Sequence, residues 1–186
     1  MKIAIAQLNP IIGDIENNAQ NICKAAEIAV QREAQLLLTP ELSLCGYPPK
    51  DLLLNASFVE MLWAELEKLA KTIPNNLTVL VGTVIENPNA YNEGKKPLFN
   101  SIVLIENQTI KQIFHKRLLP TYDVFDEDRY FEPGKESNFF QLSSNIPSTK
   151  PLKIGVTICE DLWNDEEFWG KRNYEITLYK TWLNMG

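Results

Sequence analysis

Residues 35–53 read QLLLTPELSLCGYPPKDLL, and the first seven of them set the fold class. Leu36–Leu38 is a short apolar run closed by Thr39-Pro40, the pattern of a strand buried on both faces, and a carboxylate, Glu41, follows at once. Toward the N-terminus, KIAIAQLNP (2–10) alternates Ile3, Ile5 and Gln7 with Ala4, Ala6 and Leu8 before stopping at Asn9-Pro10. It predicts a second strand with both faces covered. Between the two, after a Gly13-Asp14 turn, Ile15, Ala19, Ile22, Ala25, Ala26 and Ala29 recur at helical spacing. Strand, helix, strand predicts an α/β fold, in which ligands gather at the carboxyl ends of the strands, where Glu41 stands.

Toward the C-terminus, a Pro/Gly-rich loop leads to a helix expected over Ala56–Lys71, with Phe58, Met61, Leu62, Leu66 and Leu69 on its apolar stripe. TVLVGTVI (78–85) predicts a strand and ENPNAYNEGKKP (86–97) a polar surface loop. FNSIVLIEN (99–107) and QTIKQIFHK (108–116) predict a hairpin joined at Asn107-Gln108. The segment 117–137, rich in charge, proline and aromatics, reads as a folded wall or lid beside a site. PLKIGVTICEDLW (151–163) predicts a strand ending at Cys159, and DEEFWGKRNYEI (165–176) the start of a helix.

Composition narrows the function classes. A chain of 186 residues, 45% hydrophobic and 23% charged, is expected to fold as one domain with a real core. Its 24 acidic against 18 basic residues give a net charge of -6, which disfavours binding to nucleic acid or anionic membranes. No apolar stretch approaches the roughly 20 residues of a membrane span, and no leader peptide is visible. Three dispersed cysteines and a single histidine, His115, lack metal-ligand spacing. The expectation is a cytoplasmic protein with no metal site and no membrane or nucleic-acid partner.

Among reactive groups, Cys159 at a strand-to-turn junction is the candidate nucleophile, whereas Cys23 and Cys45 read as small hydrophobes. Its base is either His115 or Glu41, the latter with Leu42 and Leu44 beside it to raise its proton affinity. Lys116, next to His115, can set a fixed positive charge beside a developing oxyanion. Each has a bland alternative, as packing or solvated charge, yet three reactive groups at three predicted strand ends can converge on one rim.

TPELSLCGYPPKDLL (39–53), FHKRLLPTYDVFDEDRYFEPG (114–134) and TICEDLW (157–163) together resemble the three signature segments of the nitrilase superfamily of carbon-nitrogen hydrolases. Pro-Pro-Lys-Asp, LLPTYDVFDEDRYF and Cys-Glu-Asp-Leu-Trp are most similar to the branch of glutaminase domains in glutamine-dependent NAD synthetases. The resemblance implies a four-layer αββα sandwich, with residues 1–186 covering about the first two thirds of the domain, so that it is C-terminally incomplete. It implies Glu41 as general base, Lys116 as the charge that stabilises the tetrahedral species and Cys159 as nucleophile. Tyr47, Phe125, Glu160 and Trp163 would bind glutamine, Glu160 through its amino group.

The activity so implied is hydrolysis of the glutamine side-chain amide, with ammonia passed on for amidation of nicotinic acid adenine dinucleotide. No cofactor is implied for that hydrolysis. ATP and Mg would serve an ammonia-accepting synthetase domain that residues 1–186 do not contain, in a parent expected to be a homo-oligomer. A free-standing amidase and an inactive interaction or assembly module are the alternatives.

Overall fold

A computed structural model describes residues 1–136, 138–142 and 151–163. The helix expected from 165 and the terminal stretch 177–186 lie outside the described residues. The elements run β1 (Ile3–Ile5), α1 (Ile15–Gln31), β2 (Leu36–Leu38), α2 (Ala56–Thr72), β3 (Thr78–Glu86), a one-turn α3 (Ala90–Glu93), β4 (Leu98–Glu106), β5 (Thr109–His115), β6 (Phe139–Leu142) and β7 (Leu152–Gly155). Five strands form one sheet in the order β1-β2-β3-β4-β5, while β6 and β7 pair in a second sheet. The β1-β2 and β2-β3 pairs are parallel, and β3-β4-β5 continue antiparallel.

Period-two alternation builds three layers from these strands. Leu37, Val79 and Ile105 share one register line across β2, β3 and β4. They face the helices, packing with Ala19, Ile22, Ala26 and Ala29 of α1 and Phe58, Val59, Leu62, Leu66 and Leu69 of α2. The neighbouring residues Leu36, Leu80 and Leu104 point the other way and join Phe114 with Phe140, Leu142 and Val156 of the small sheet's segment. The described residues thus give helices, a sheet and a second sheet, in the order an αββα sandwich requires.

Several expectations need correction. Ile3 and Ile5 are exposed, Ile5 by 73%, because among the described residues β1 ends the strand order and only its Ala4/Ala6 side meets the helical core. Met61 is 54% exposed, since Val59 and Ala70 complete the buried stripe of α2 in its place. The strand before the nucleophile stops at Gly155, and Cys159 opens a single 3-10 turn, Cys159–Leu162. The loop 86–97 contains α3 and buries Asn87. The Asn107-Gln108 hairpin is confirmed with both residues left-handed, φ 51° and 56°, a pairing whose twist suits a two-residue connection between antiparallel strands.

Candidate active site

Glu41 is placed by a turn that β3 holds. The Thr39 hydroxyl accepts from the Gly82 N–H at 3.1 Å, and the Gly82 carbonyl accepts from the Leu44 N–H at 3.0 Å and the Ser43 hydroxyl at 3.2 Å. Gly82 is required for that approach. A Cβ there would press on the Pro40 carbonyl oxygen and lie 2.6 Å from the Leu42 nitrogen and 3.0 Å from the Glu41 carbonyl carbon. Lys116 follows β5 directly, its N–H bonded to the Asn100 carbonyl and its carbonyl to the Gly134 N–H, both at 2.8 Å.

The Lys116 ammonium is fully buried between two carboxylates, donating to Glu41 at 2.7 Å and Glu127 at 2.9 Å. Asn100, on β4, donates to Glu41 at 2.7 Å and Glu127 at 3.3 Å, and the Tyr47 hydroxyl donates to Glu127 at 2.8 Å. Desolvation works to lower the Lys116 pKa, but the two carboxylates outweigh it and hold it above the ordinary lysine value. It is charged at neutral pH. Burial lifts Glu127 above the ordinary carboxylate value against the pull of Lys116.

Cys159 reaches this cluster from the third segment. Its backbone is left-handed, φ 46°, and its thiol lies close enough to Glu41 for that carboxylate to raise its pKa. Although the residue borders solvent, desolvation of the thiol and then the negative charge of Glu41 push it up to about 11, with Lys116 opposing. The thiol is therefore protonated at neutral pH, with the Glu41 carboxylate close by. Cys45, by contrast, is fully buried and pushed up to about 12 by burial.

An aromatic wall adjoins the trio: the Phe125 ring centroid lies 6.4 Å from Tyr47 and 5.6 Å, edge-on, from Tyr122. Glu160 is buried and accepts from the Tyr122 hydroxyl at 2.8 Å. Trp163 ends the 3-10 turn, its N–H on the Glu160 carbonyl at 2.9 Å and its side chain half exposed. The structure thus brings Glu41, Lys116 and Cys159 together, with Tyr47 and Phe125 beside them. His115 takes no part: its ring stacks on Phe99 at 4.0 Å, its Nδ1 meets the Ser101 hydroxyl at 2.8 Å, and burial lowers its pKa.

Sequence reasoning missed Glu127 and Asn100. Their signals were an acid inside the aromatic loop 11 residues past Lys116 and a polar residue interrupting the apolar run of β4. Among the described residues no cluster of His, Cys, Asp and Glu could hold a metal ion, and no helix is long and apolar enough to cross a membrane.

A thiol, a nearby carboxylate and a buried ammonium are the groups that a cysteine hydrolase passing through a thioester and an oxyanion would require. The chain belongs to the carbon-nitrogen hydrolase family, whose model matches residues 2–183. It is 56% identical over 184 residues to a glutamine-dependent NAD(+) synthetase of Synechocystis sp., covering 99% of this chain and 32% of that protein. Among solved structures, a glutamine-dependent NAD+ synthetase from Acinetobacter baumannii superposes with a TM-score of 0.74 at 30% identity, over 98% of this chain and 30% of that one. An amidase from Nesterenkonia sp. shares the fold, with a TM-score of 0.66 at 23% identity, over 90% of this chain and 58% of that one. The chain spans about a quarter to a third of the length of curated relatives it matches.

Proposed function

We propose that the chain is the glutaminase part of a glutamine-dependent NAD synthetase, hydrolysing the side-chain amide of glutamine and releasing ammonia for amidation of nicotinic acid adenine dinucleotide. The observation that carries this reading is the convergence of Cys159, Glu41 and Lys116, each from a separate segment, on one cluster in which Lys116 is hydrogen-bonded to Glu41 and both charges act on the thiol. The shared name of the similar synthetases supports glutamine among amide substrates.

Glu41 takes the thiol proton as the Cys159 sulfur attacks the amide carbon, and the carbonyl electron pair moves onto oxygen. The oxyanion is stabilised by the Lys116 ammonium and the backbone N–H of Glu160. Glu41 returns the proton to the departing nitrogen, the C–N bond breaks, and ammonia leaves a thioester. Glu41 then deprotonates a water, which attacks the thioester carbon; glutamate departs and the thiol recovers its proton. Glu127 keeps Lys116 charged and in place while Glu41 changes protonation.

Tyr47, Phe125 and Trp163 would flank the substrate, and Glu160 would receive its amino group. The hydrolysis itself needs no metal or cofactor in this scheme. ATP and Mg would serve a synthetase module that accepts the ammonia, in a cytoplasmic homo-oligomer. Glutamate release by the purified chain, set against its Cys159→Ala form, tests the reading: a rate well above that variant is expected, and equal backgrounds from two folded proteins overturn it. A simple aliphatic amide hydrolysed as fast as glutamine would point to a free-standing amidase.

A further inference from the structure

Asp161 stands two residues beyond the nucleophile, is 4% exposed, and takes no part in the steps above. Both of its carboxylate oxygens are occupied by main chain. Oδ1 accepts from the N–H groups of Arg117 at 3.0 Å and Leu118 at 2.9 Å, and Oδ2 from the N–H of Ile158 at 3.1 Å. These donors belong to two distant stretches: the residues directly after Lys116 and the residue directly before Cys159.

We propose that Asp161 is a positioning residue that clamps the Cys159 turn to the Lys116 segment, so that the thiol, Glu41 and the ammonium meet in one register. The inference deepens the hydrolase reading above and rests on it.

Three observations favour a clamp. The left-handed backbone of Cys159 is sparsely populated by non-glycine residues and persists only where surrounding bonds over-determine it; Asp161 supplies such a bond through Ile158. The carboxylate is buried at a cost that raises its pKa, and the three backbone N–H groups, followed by the charge of Lys116, oppose that rise. The Arg117 guanidinium feels the charge of Asp161, but its Nε and Nη1 make no hydrogen bond. What ties Asp161 to residues 117 and 118 is their main chain, not the Arg117 side chain.

The test reads the thiol in the absence of glutamine. Alkylation of Cys159 by iodoacetamide, resolved from Cys23 and Cys45 by peptide mass spectrometry, is followed against pH in the full chain. The wild-type midpoint is expected near 11. Asp161→Ala frees the turn to move off Glu41, and its midpoint is expected to fall by at least about one unit toward the ordinary thiol value of about 8.5. Arg117→Met keeps its backbone N–H and is expected to retain the wild-type midpoint.

A folded Asp161→Ala with an unchanged midpoint overturns the proposal, as does an Arg117→Met shift as large as that of Asp161→Ala. Should Asp161→Ala fail to fold, Asp161→Asn, which keeps the shape but sets an amide NH2 against one of the donor groups, is read by the same criterion. Where glutamine is hydrolysed, kcat is expected to fall by about 10- to 100-fold with KM little changed, as for a misplaced reacting group. A midpoint shift without any glutamate release from the wild type would sink the glutaminase reading and leave the clamp standing.

Discussion

Gly82→Ala is the smallest change that should disable the site from outside it. The added methyl would lie 2.6 Å from the Leu42 nitrogen and 3.0 Å from the Glu41 carbonyl carbon, and closer still to the Pro40 oxygen, where ordinary contact begins at 3.4 Å. All three atoms are backbone, so no side chain can swing away, and the Glu41 turn must retreat by about 1 Å. Glu41 then leaves the Lys116 ammonium, now 2.7 Å away, and the Cys159 thiol. Overpacking of this size costs about 1–3 kcal/mol, and a misplacement near 1 Å costs on the order of 100-fold in rate. Urea unfolding should show a lowered midpoint at constant slope, and glutamate release should fall about 100-fold in protein that is still folded. A Gly82→Ala chain with the wild-type urea midpoint and rate would refute the reasoning, because the turn would then have no need of the glycine.

Glu127→Gln removes one of two charges on a buried ammonium while keeping the side chain's shape. Stability should drop by about 1.5–3 kcal/mol, the worth of a charged hydrogen bond, and a urea midpoint equal to wild type would show that Glu41 alone suffices for Lys116. Glu41→Gln cannot accept the thiol proton, so glutamate release should fall by about 10²–10⁴-fold while circular dichroism stays unchanged. Lys116 has a folded-state pKa above its ordinary 10.5, so its stabilisation is complete below pH 10.5 and lost as pH rises through the folded value. The urea midpoint should therefore fall more steeply above pH 10.5 in wild type than in Lys116→Met, and parallel profiles would contradict the pairing.

The layers were legible because alternation and helical spacing are local properties. Leu36–Leu38, the 78–85 strand, the hairpin at Asn107-Gln108 and both long helices follow from residue order alone. The covering of β1 did not follow, because alternation shows two apolar faces without showing which strand lies at the sheet's edge. Met61 failed for a related reason: two stripes of α2 meet near it, and only packing against β3 chooses between them. Within the site, Glu41, Lys116 and Cys159 stood out as reactive types at predicted strand ends and through their signature segments. Glu127 and Asn100 did not, since their role depends on a partner 11 or 16 residues away that only the folded chain brings close. Asp161 shows the same limit. An acid two residues past a nucleophile reads as one more charge in a turn, and its three backbone donors come from across the fold.

The charge balance of the cluster accounts for why the proposed base is a carboxylate instead of a histidine. A cysteine paired with a protonated imidazole is held as a thiolate, reactive before substrate arrives. Here one ammonium faces two carboxylates, and the thiol meets the more negative side of that set through Glu41. With a pKa near 11, only about one thiol in 10⁴ is ionised at pH 7, so the nucleophile resists adventitious alkylation and oxidation. In the proposed reaction, attack must therefore be coupled to proton transfer, which requires Glu41 and the sulfur to meet. In that reaction Lys116 is thus asked for two things at once: to pair with Glu41 in the resting site and to receive the oxyanion when the proton moves onto Glu41 and the pairing weakens. Glu127 makes that exchange workable, because the buried ammonium still has a carboxylate at 2.9 Å when Glu41 has become neutral.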